Sequence, residues 1–157
     1  MRVEGQVSQS VPVVAREVVI DKRVQVGADE VWIEVDLATQ ILYLYRGFQV
    51  HNAFRVSTGR PGIPGKKVSK ATRQGVYRIY ALYKSYPMWG RDGKDGWRCP
   101  DVPYVMWFHG ELAIHAAYWH NDFGTPVSHG CVNMAEVDAA AVYALVKRRT
   151  VVWVHDD

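Results

Sequence analysis

The sequence predicts a mainly β domain: a sandwich or half-barrel of mixed strands with one α-helix, in the C-terminal half, packed on it. Three observations carry this expectation. Residues 31–56 alternate apolar and polar with period two. Further short runs rich in Val, Ile, Tyr and Trp are bounded by Gly and Pro turns. A single late segment carries apolar residues at helical spacing. The chain has 157 residues, which suits one domain with a single core. At 48% hydrophobic and 22% charged it has the composition of a folded protein. Its six Trp and nine Tyr favour sheet faces and grooves that grip a substrate.

Residues 1–29 are loosely patterned and read as an N-terminal tail or edge segment, with the domain proper at 30–157. In "VWIEVD", Val31, Ile33 and Val35 face one way and Trp32, Glu34 and Asp36 the other. "ILYLY" follows a polar turn and "FQVHNAFRV" follows Arg46-Gly47, so the three runs form a meander. "GRPGIPGKKVSKATRQG" is a loop dense in Gly, Pro and Lys. "VYRIYALYK" reads as one strand, "SYPMWGRDGKDGWRCPD" as irregular, and "YVMWF" and "LAIHA" as strands around His109-Gly110. "AEVDAAAVYALVKRR" is the helix, with Val137, Ala141 and Leu145 on one face. Asn133 is its expected N-cap, Glu136 completes a capping box, and Lys147, Arg148 and Arg149 suit its C-terminal end. "TVVWVH" closes the chain as a strand.

Several function classes are excluded or weakened. A net charge of +3 is too small to argue for nucleic acid. Arg60, Lys66, Lys67, Lys70 and Arg73 do cluster without an acid among them; they form a solvated loop or a patch for a polyanionic surface. The glycines there do not match a P-loop. No apolar run approaches the roughly 18 residues of a membrane span, and "MRVEGQVSQS" has no hydrophobic signal region. Two cysteines are no disulfide framework, and Cys99 reads as a bystander.

The chemistry concentrates in "PVSHGCVNM", residues 126–134. Cys131 is expected at a strand-to-helix junction, where unpaired backbone N–H groups favour a thiolate and can bind an oxyanion. Gly130 lets the backbone take unusual dihedrals. A base is needed. His129 is two residues away, and its side chain either reaches the sulfur or holds the loop. His120 is a weaker candidate. His115, at the end of "LAIHA", sits on a separate rigid element that can aim it, and is preferred. A zinc site of His115, His120, His129 and Cys131 lacks the tight spacing of usual sites. An inert thiol, a papain-like hydrolase and a non-catalytic wall-binding module are the remaining alternatives.

The stretch "IHAAYWHNDFGTPVSHGCVN" resembles the signature of the L,D-transpeptidases, the YkuD-like catalytic domain. That signature is a histidine, a dozen or more residues, then Ser/Thr-His-Gly-Cys and, one residue later, Asn or Arg. Here these are His115, Ser128, His129, Gly130, Cys131 and Asn133. "VWIEVDLATQILYLYRGFQVHNAFRVSTGRPG" and "VPYVMWFHGELAIHAAYWH" are similar to the family's opening strands and to the stretch feeding its histidine. Two departures bear on the groove's shape: Thr72-Arg73-Gln74-Gly75 replaces the frequent Thr-Pro-Thr-Gly, and Ala116 follows the histidine where Gly or Ser is common.

The resemblance implies a cysteine acyltransferase acting on peptidoglycan tetrapeptide stems through a thioester, with no metal and no organic cofactor. It implies Cys131 as nucleophile and His115 as base, oriented by a backbone carbonyl for which Ala116 is the candidate. His129 and Gly130 would contribute backbone N–H groups to an oxyanion hole. Ser128, Asn133, Trp119 and Tyr118 are the expected substrate contacts, each with a structural alternative. The segment from Tyr118 through "HNDFGTPV" is expected to fold over the catalytic pair as a flap. The expected setting is extracytoplasmic, in periplasm or cell wall, as a monomer without nucleic-acid partners and without an export signal in this chain.

Overall fold

Alternation in residues 31–55 builds the three-stranded meander that organises the domain. In the computed structural model, which describes residues 2–14, 16, 18–62, 69–92 and 95–157, these are β2 (Val31–Asp36), β3 (Ile41–Arg46) and β4 (Gln49–Arg55). β1 (Ser10–Val11) pairs antiparallel with β4, and β10 (Val151–His155) pairs parallel with β2. β5 (Gly75–Arg78) closes the other edge, giving a six-stranded sheet in the order β1-β4-β3-β2-β10-β5. A second sheet holds β6 (Ala81–Asp92), β7 (Asp95–His109), β8 (Leu112–Ala116) and β9 (Val132–Met134), with β8 and β9 parallel. The fold is mainly β, with two mixed sheets and, among the described residues, the single helix α1 (Glu136–Tyr143). Lys66 and Lys67 of the basic cluster lie outside the described residues.

The core joins one face of each sheet. Ile33, Val35, Leu42, Leu44, Val152 and Val154 come from the first sheet, Met106, Phe108, Ile114, Val132 and Met134 from the second, and Ala139 and Val142 from α1. Each large side chain buried here stabilises by roughly 1.5–3 kcal/mol. The other face of β2 is also covered. Trp32, Tyr45, Val151 and Trp153 pack there against Val18, Ile20, Val24 and Val26 of the N-terminal segment. Glu34, on that face, is fully buried. It accepts from Arg16 at 2.5 Å, from the Tyr45 hydroxyl at 2.6 Å and from His155 Nε2 at 2.6 Å. These donors hold its carboxyl below the ordinary range despite the opposing effect of burial.

Three local expectations are corrected. "VYRIYALYK" is not one strand. It divides at Ile79 and Tyr80, because Ile79 is buried and pairs its backbone with Arg149 and Thr150; β5 then belongs to one sheet and β6 to the other. Residues 85–101 are not irregular but belong to the arms of a long β6–β7 hairpin, which shifts register between Tyr86 and Met88 and then runs in register from Met88 opposite Cys99 to Asp92 opposite Asp95. Gly90 is required there: a Cβ would stand 2.7 Å from the ring of Trp97. The helix ends at Tyr143, not Arg149, and Asn133 is not its N-cap. Ala135 occupies that position without a side-chain bond, and Asn133 lies in β9. Lys147, Arg148 and Arg149 follow the helix as an exposed turn that returns the chain to β10.

Candidate active site

The parallel pairing of β8 and β9 sets His115 opposite Asn133. Residues two apart on a strand share a face. Cys131, at the head of β9, therefore lies on the same face as His115, its diagonal neighbour on the adjacent strand. Met88, Val102, Val105 and Ala113 form a small buried cluster here, and Cys131, Trp97, Trp107 and Trp119 pack against it.

His115 is buried at 4% exposure. Its Nδ1 lies 2.9 Å from the carbonyl of Ala116, the carbonyl the sequence singled out. Nδ1–H donating there leaves the Nε2 lone pair as the basic position. Burial pushes its pKa down to about 4; the Ala116 carbonyl opposes this and His120 adds to it. Trp119 lies beside the ring, centroids 5.8 Å apart.

Cys131 is half-buried, and its S–H donates to the Glu111 carbonyl at 3.5 Å. Burial pushes its pKa up to about 11, against a bond from the Ala113 backbone. This burial works against the thiolate that the sequence leads one to expect. Strand β9 separates Cys131 from the first turn of α1, and helix-terminal fields fade within a turn. Burial favours the neutral form of both groups, thiol and imidazole.

The turn before Cys131 is held from three sides. Ser128 Oγ donates to the Cys131 carbonyl and accepts from Gly130 N–H at 3.2 Å. Thr72, buried, donates to the Gly130 carbonyl at 2.6 Å and accepts from Gly59 N–H at 3.0 Å. Gly130 has φ +140, a backbone state that side chains disfavour. Gly59 passes so close that a Cβ would stand 1.8 Å from the Lys70 carbonyl and 2.8 Å from Gly130 Cα. Ser57 bridges Asn133 and Gly59 bridges Ser128, tying the Ser-Thr-Gly turn to the cysteine motif.

The other expected residues take definite places. His129 is exposed and stacks on Trp97 of the hairpin, centroids 5.2 Å apart. Asn133 is buried with its amide 3.1 Å from His120 Nε2. His120 Nδ1 accepts from Asp122 N–H, so the neutral ring carries its proton on Nε2; the Asn133 atom that meets it is then the amide oxygen. Tyr118 is buried, its hydroxyl donating to Asp101 at 3.0 Å and lying 3.2 Å from Cys99. Both cysteines are free. Thr72 stands out in sequence only as the start of the altered Thr-Arg-Gln-Gly run; the fold brings its hydroxyl to Gly130.

Among the described residues, Glu34, Asp36 and His155 bring ligand atoms within 4.8 Å of one another. They lie on the remote face, where the Arg16 guanidinium already supplies the cation.

This geometry has parallels among known proteins. The sequence profile of the L,D-transpeptidase catalytic domain matches residues 30–154. The chain belongs to that family. Among solved structures it is similar to an L,D-transpeptidase from Mycobacterium smegmatis, with TM-score 0.71 and 22% identity over 80% of this chain and 58% of that one. A mutant of the Enterococcus faecium L,D-transpeptidase gives TM-score 0.70 and 23% identity, covering 80% of this chain and 50% of that one. An L,D-transpeptidase in complex with imipenem gives 0.71 and 20%, covering 81% and 59%. At such identities the likeness is one of fold, and this chain spans 50–59% of the length of these three. No curated protein matches it.

Proposed function

We propose that this L,D-transpeptidase-family domain is a cysteine acyltransferase for peptidoglycan tetrapeptide stems. The observation that carries the reading is His115. It is buried and tied through Nδ1 to the Ala116 carbonyl, with Nε2 left basic, on the sheet face that bears Cys131. A neutral thiol beside a neutral base suits general-base activation at the moment of attack. His115 Nε2 takes the thiol proton as sulfur adds to the carbonyl between the L-centre of the diamino acid and the terminal D-alanine. The tetrahedral oxyanion is received by backbone N–H groups of the turn formed by His129, Gly130 and Cys131; the Gly130 N–H already donates to Ser128 Oγ, so the role falls first to its neighbours in the turn. Collapse expels D-alanine, whose nitrogen takes the proton from His115, and leaves a thioester on Cys131. The side-chain amine of a second stem attacks the thioester, His115 accepts its proton and returns one to sulfur, and a 3→3 crosslink is released. Thiol chemistry of this kind needs no metal or organic cofactor.

Trp119, packed beside His115, and Tyr118 are the proposed aromatic wall of the stem groove, with Ser128 and Asn133 holding its floor. The substrate places the activity outside the cytoplasm, in periplasm or cell wall, and the domain acts as a monomer. Among the described residues no helix is long and apolar enough to cross a membrane.

Incubation with a defined tetrapeptide stem, followed by intact-mass spectrometry, tests the reading. An adduct on Cys131 that turns over to crosslinked product when an amine acceptor is added is the expected result. Tripeptide alone at every acceptor concentration would make the domain an L,D-carboxypeptidase. Absence of any adduct would end the cysteine mechanism.

A further inference from the structure

The segment 117–122 runs from His115 toward the cysteine turn, and it is gripped by residues that lie before the family domain begins. Val3 N–H donates to the Tyr118 carbonyl at 2.9 Å. Gln6 Nε2 donates to the carbonyls of Ala117 at 2.7 Å and His120 at 3.0 Å. Asn121 donates to the Glu4 carbonyl at 3.3 Å. Arg2 lies over the Tyr118 ring at 4.7 Å and pairs with Glu136. The Gln6 carbonyl oxygen accepts from Glu136 N–H at 2.8 Å, filling the cap of α1 that no local side chain supplies. Ser8 and Gln9 then fasten the strand to Asp138. The family profile starts at residue 30, so this grip is a feature of residues outside it.

What the segment carries explains why the grip matters. Trp119 lies against the His115 ring, and His120 holds the amide of Asn133, the residue opposite His115 across the β8–β9 pair. Each of these contacts is set by a short run of backbone whose carbonyls are bound at 117, 118 and 120 by residues 3 and 6. The segment expected to fold over the catalytic pair is therefore pinned at its start.

We infer that residues 2–6 are a positioning strap for the proposed reaction, with Gln6 the positioning residue that holds Trp119 against His115 and His120 against Asn133. The inference rests on the acyltransfer reading for its catalytic part and on the hydrogen bonds alone for its structural part. Gln6 has two separable duties. Its oxygen caps α1; its nitrogen holds the segment. Gln6→Glu keeps the capping oxygen, with charge favourable at a helix N-terminus, but turns both donors into an acceptor facing two carbonyls. Gln6→Met removes both duties without that repulsion.

The experiment compares these variants at pH 8 with Tyr45→Phe, which loses a buried bond to Glu34 on the remote face. The readouts are hydrogen exchange of amides 117–122, kcat and KM for a tetrapeptide stem with amine acceptor, and thermal stability. Gln6→Glu is expected to be the more stable of the two Gln6 variants. It should nonetheless show the faster exchange at 117–122 and the lower kcat, by roughly tenfold against unmutated protein, as expected for a misplaced catalytic group. KM should change less than kcat, and Tyr45→Phe should leave kcat and the exchange of 117–122 unchanged. A mere capping role predicts the opposite order, with Gln6→Met the worse enzyme, and would overturn the inference. So would unchanged exchange at 117–122 in Gln6→Glu, or an equal kcat loss in Tyr45→Phe. If the unmutated protein turns over no stem at all, the acyltransfer reading falls and takes the catalytic role of Gln6 with it. Faster exchange in Gln6→Glu would then still establish that the strap holds the segment.

Discussion

Replacing His115 with Gln keeps a polar side chain of similar length while removing the proton site, and its consequence for stability can be worked from the structure. In the folded chain burial holds His115 near a pKa of about 4, whereas an unfolded histidine titrates at about 6.5. Between these values the unfolded chain binds a proton that the folded chain refuses. Stability must therefore fall as pH is lowered from about 6.5 toward 4, and be unaffected by this group above that window. A displacement of this size corresponds to about 3 kcal/mol, an upper value because a strained site can admit water. Urea unfolding at several pH values between 4 and 8 measures it, for the unmutated protein and for His115→Gln. Carboxylates such as Glu34 contribute an acid loss to both proteins and cancel in the difference. The variant should lose about 2–3 kcal/mol less on acidification, within the linkage relation. Equal acid losses in the two proteins would refute the claim that His115 is buried neutral, and with it the assignment of a resting imidazole and thiol.

Three further outcomes follow from the same contacts. Cys131→Ser should fold normally and lose turnover of a tetrapeptide stem; incubated with a carbapenem, the unmutated protein is expected to gain the mass of the drug and Cys131→Ser to gain none, and an adduct on Cys131→Ser would place the nucleophile elsewhere. Thr72→Val removes a donor to the Gly130 carbonyl and an acceptor for Gly59 N–H, both buried, so a loss of about 1–3 kcal/mol in urea is expected. Thr72→Ser should recover most of it. Arg16→Ala leaves the buried carboxylate of Glu34 with Tyr45 and His155 as its donors and should cost about 1–3 kcal/mol, read as a lower midpoint in denaturant.

Much of this protein was legible along the chain because its signals are local. Period-two alternation in residues 31–55 marks a sheet face whatever surrounds it, and β2, β3 and β4 stand where the pattern put them. The order Ser128-His129-Gly130-Cys131 with His115 upstream carries enough chemistry to name a family before any fold is known. Other features depend on partners distant in sequence. "VYRIYALYK" looks continuous, yet the pairing of Ile79 with Arg149 and Thr150 divides it between sheets. Asn133 has the spacing of a helix cap, but pairing with β8 claims it for β9, and the cap comes instead from Gln6, 130 residues away. The ionisation of Cys131 likewise depends on surroundings that the sequence does not display. Its neighbours in sequence suggest a thiolate, while packing in the second sheet's outer cluster pushes its pKa up. Residue type and period determine which elements form and which atoms can react; only tertiary packing decides which polar groups are desolvated, and so which of those atoms carry charge at rest.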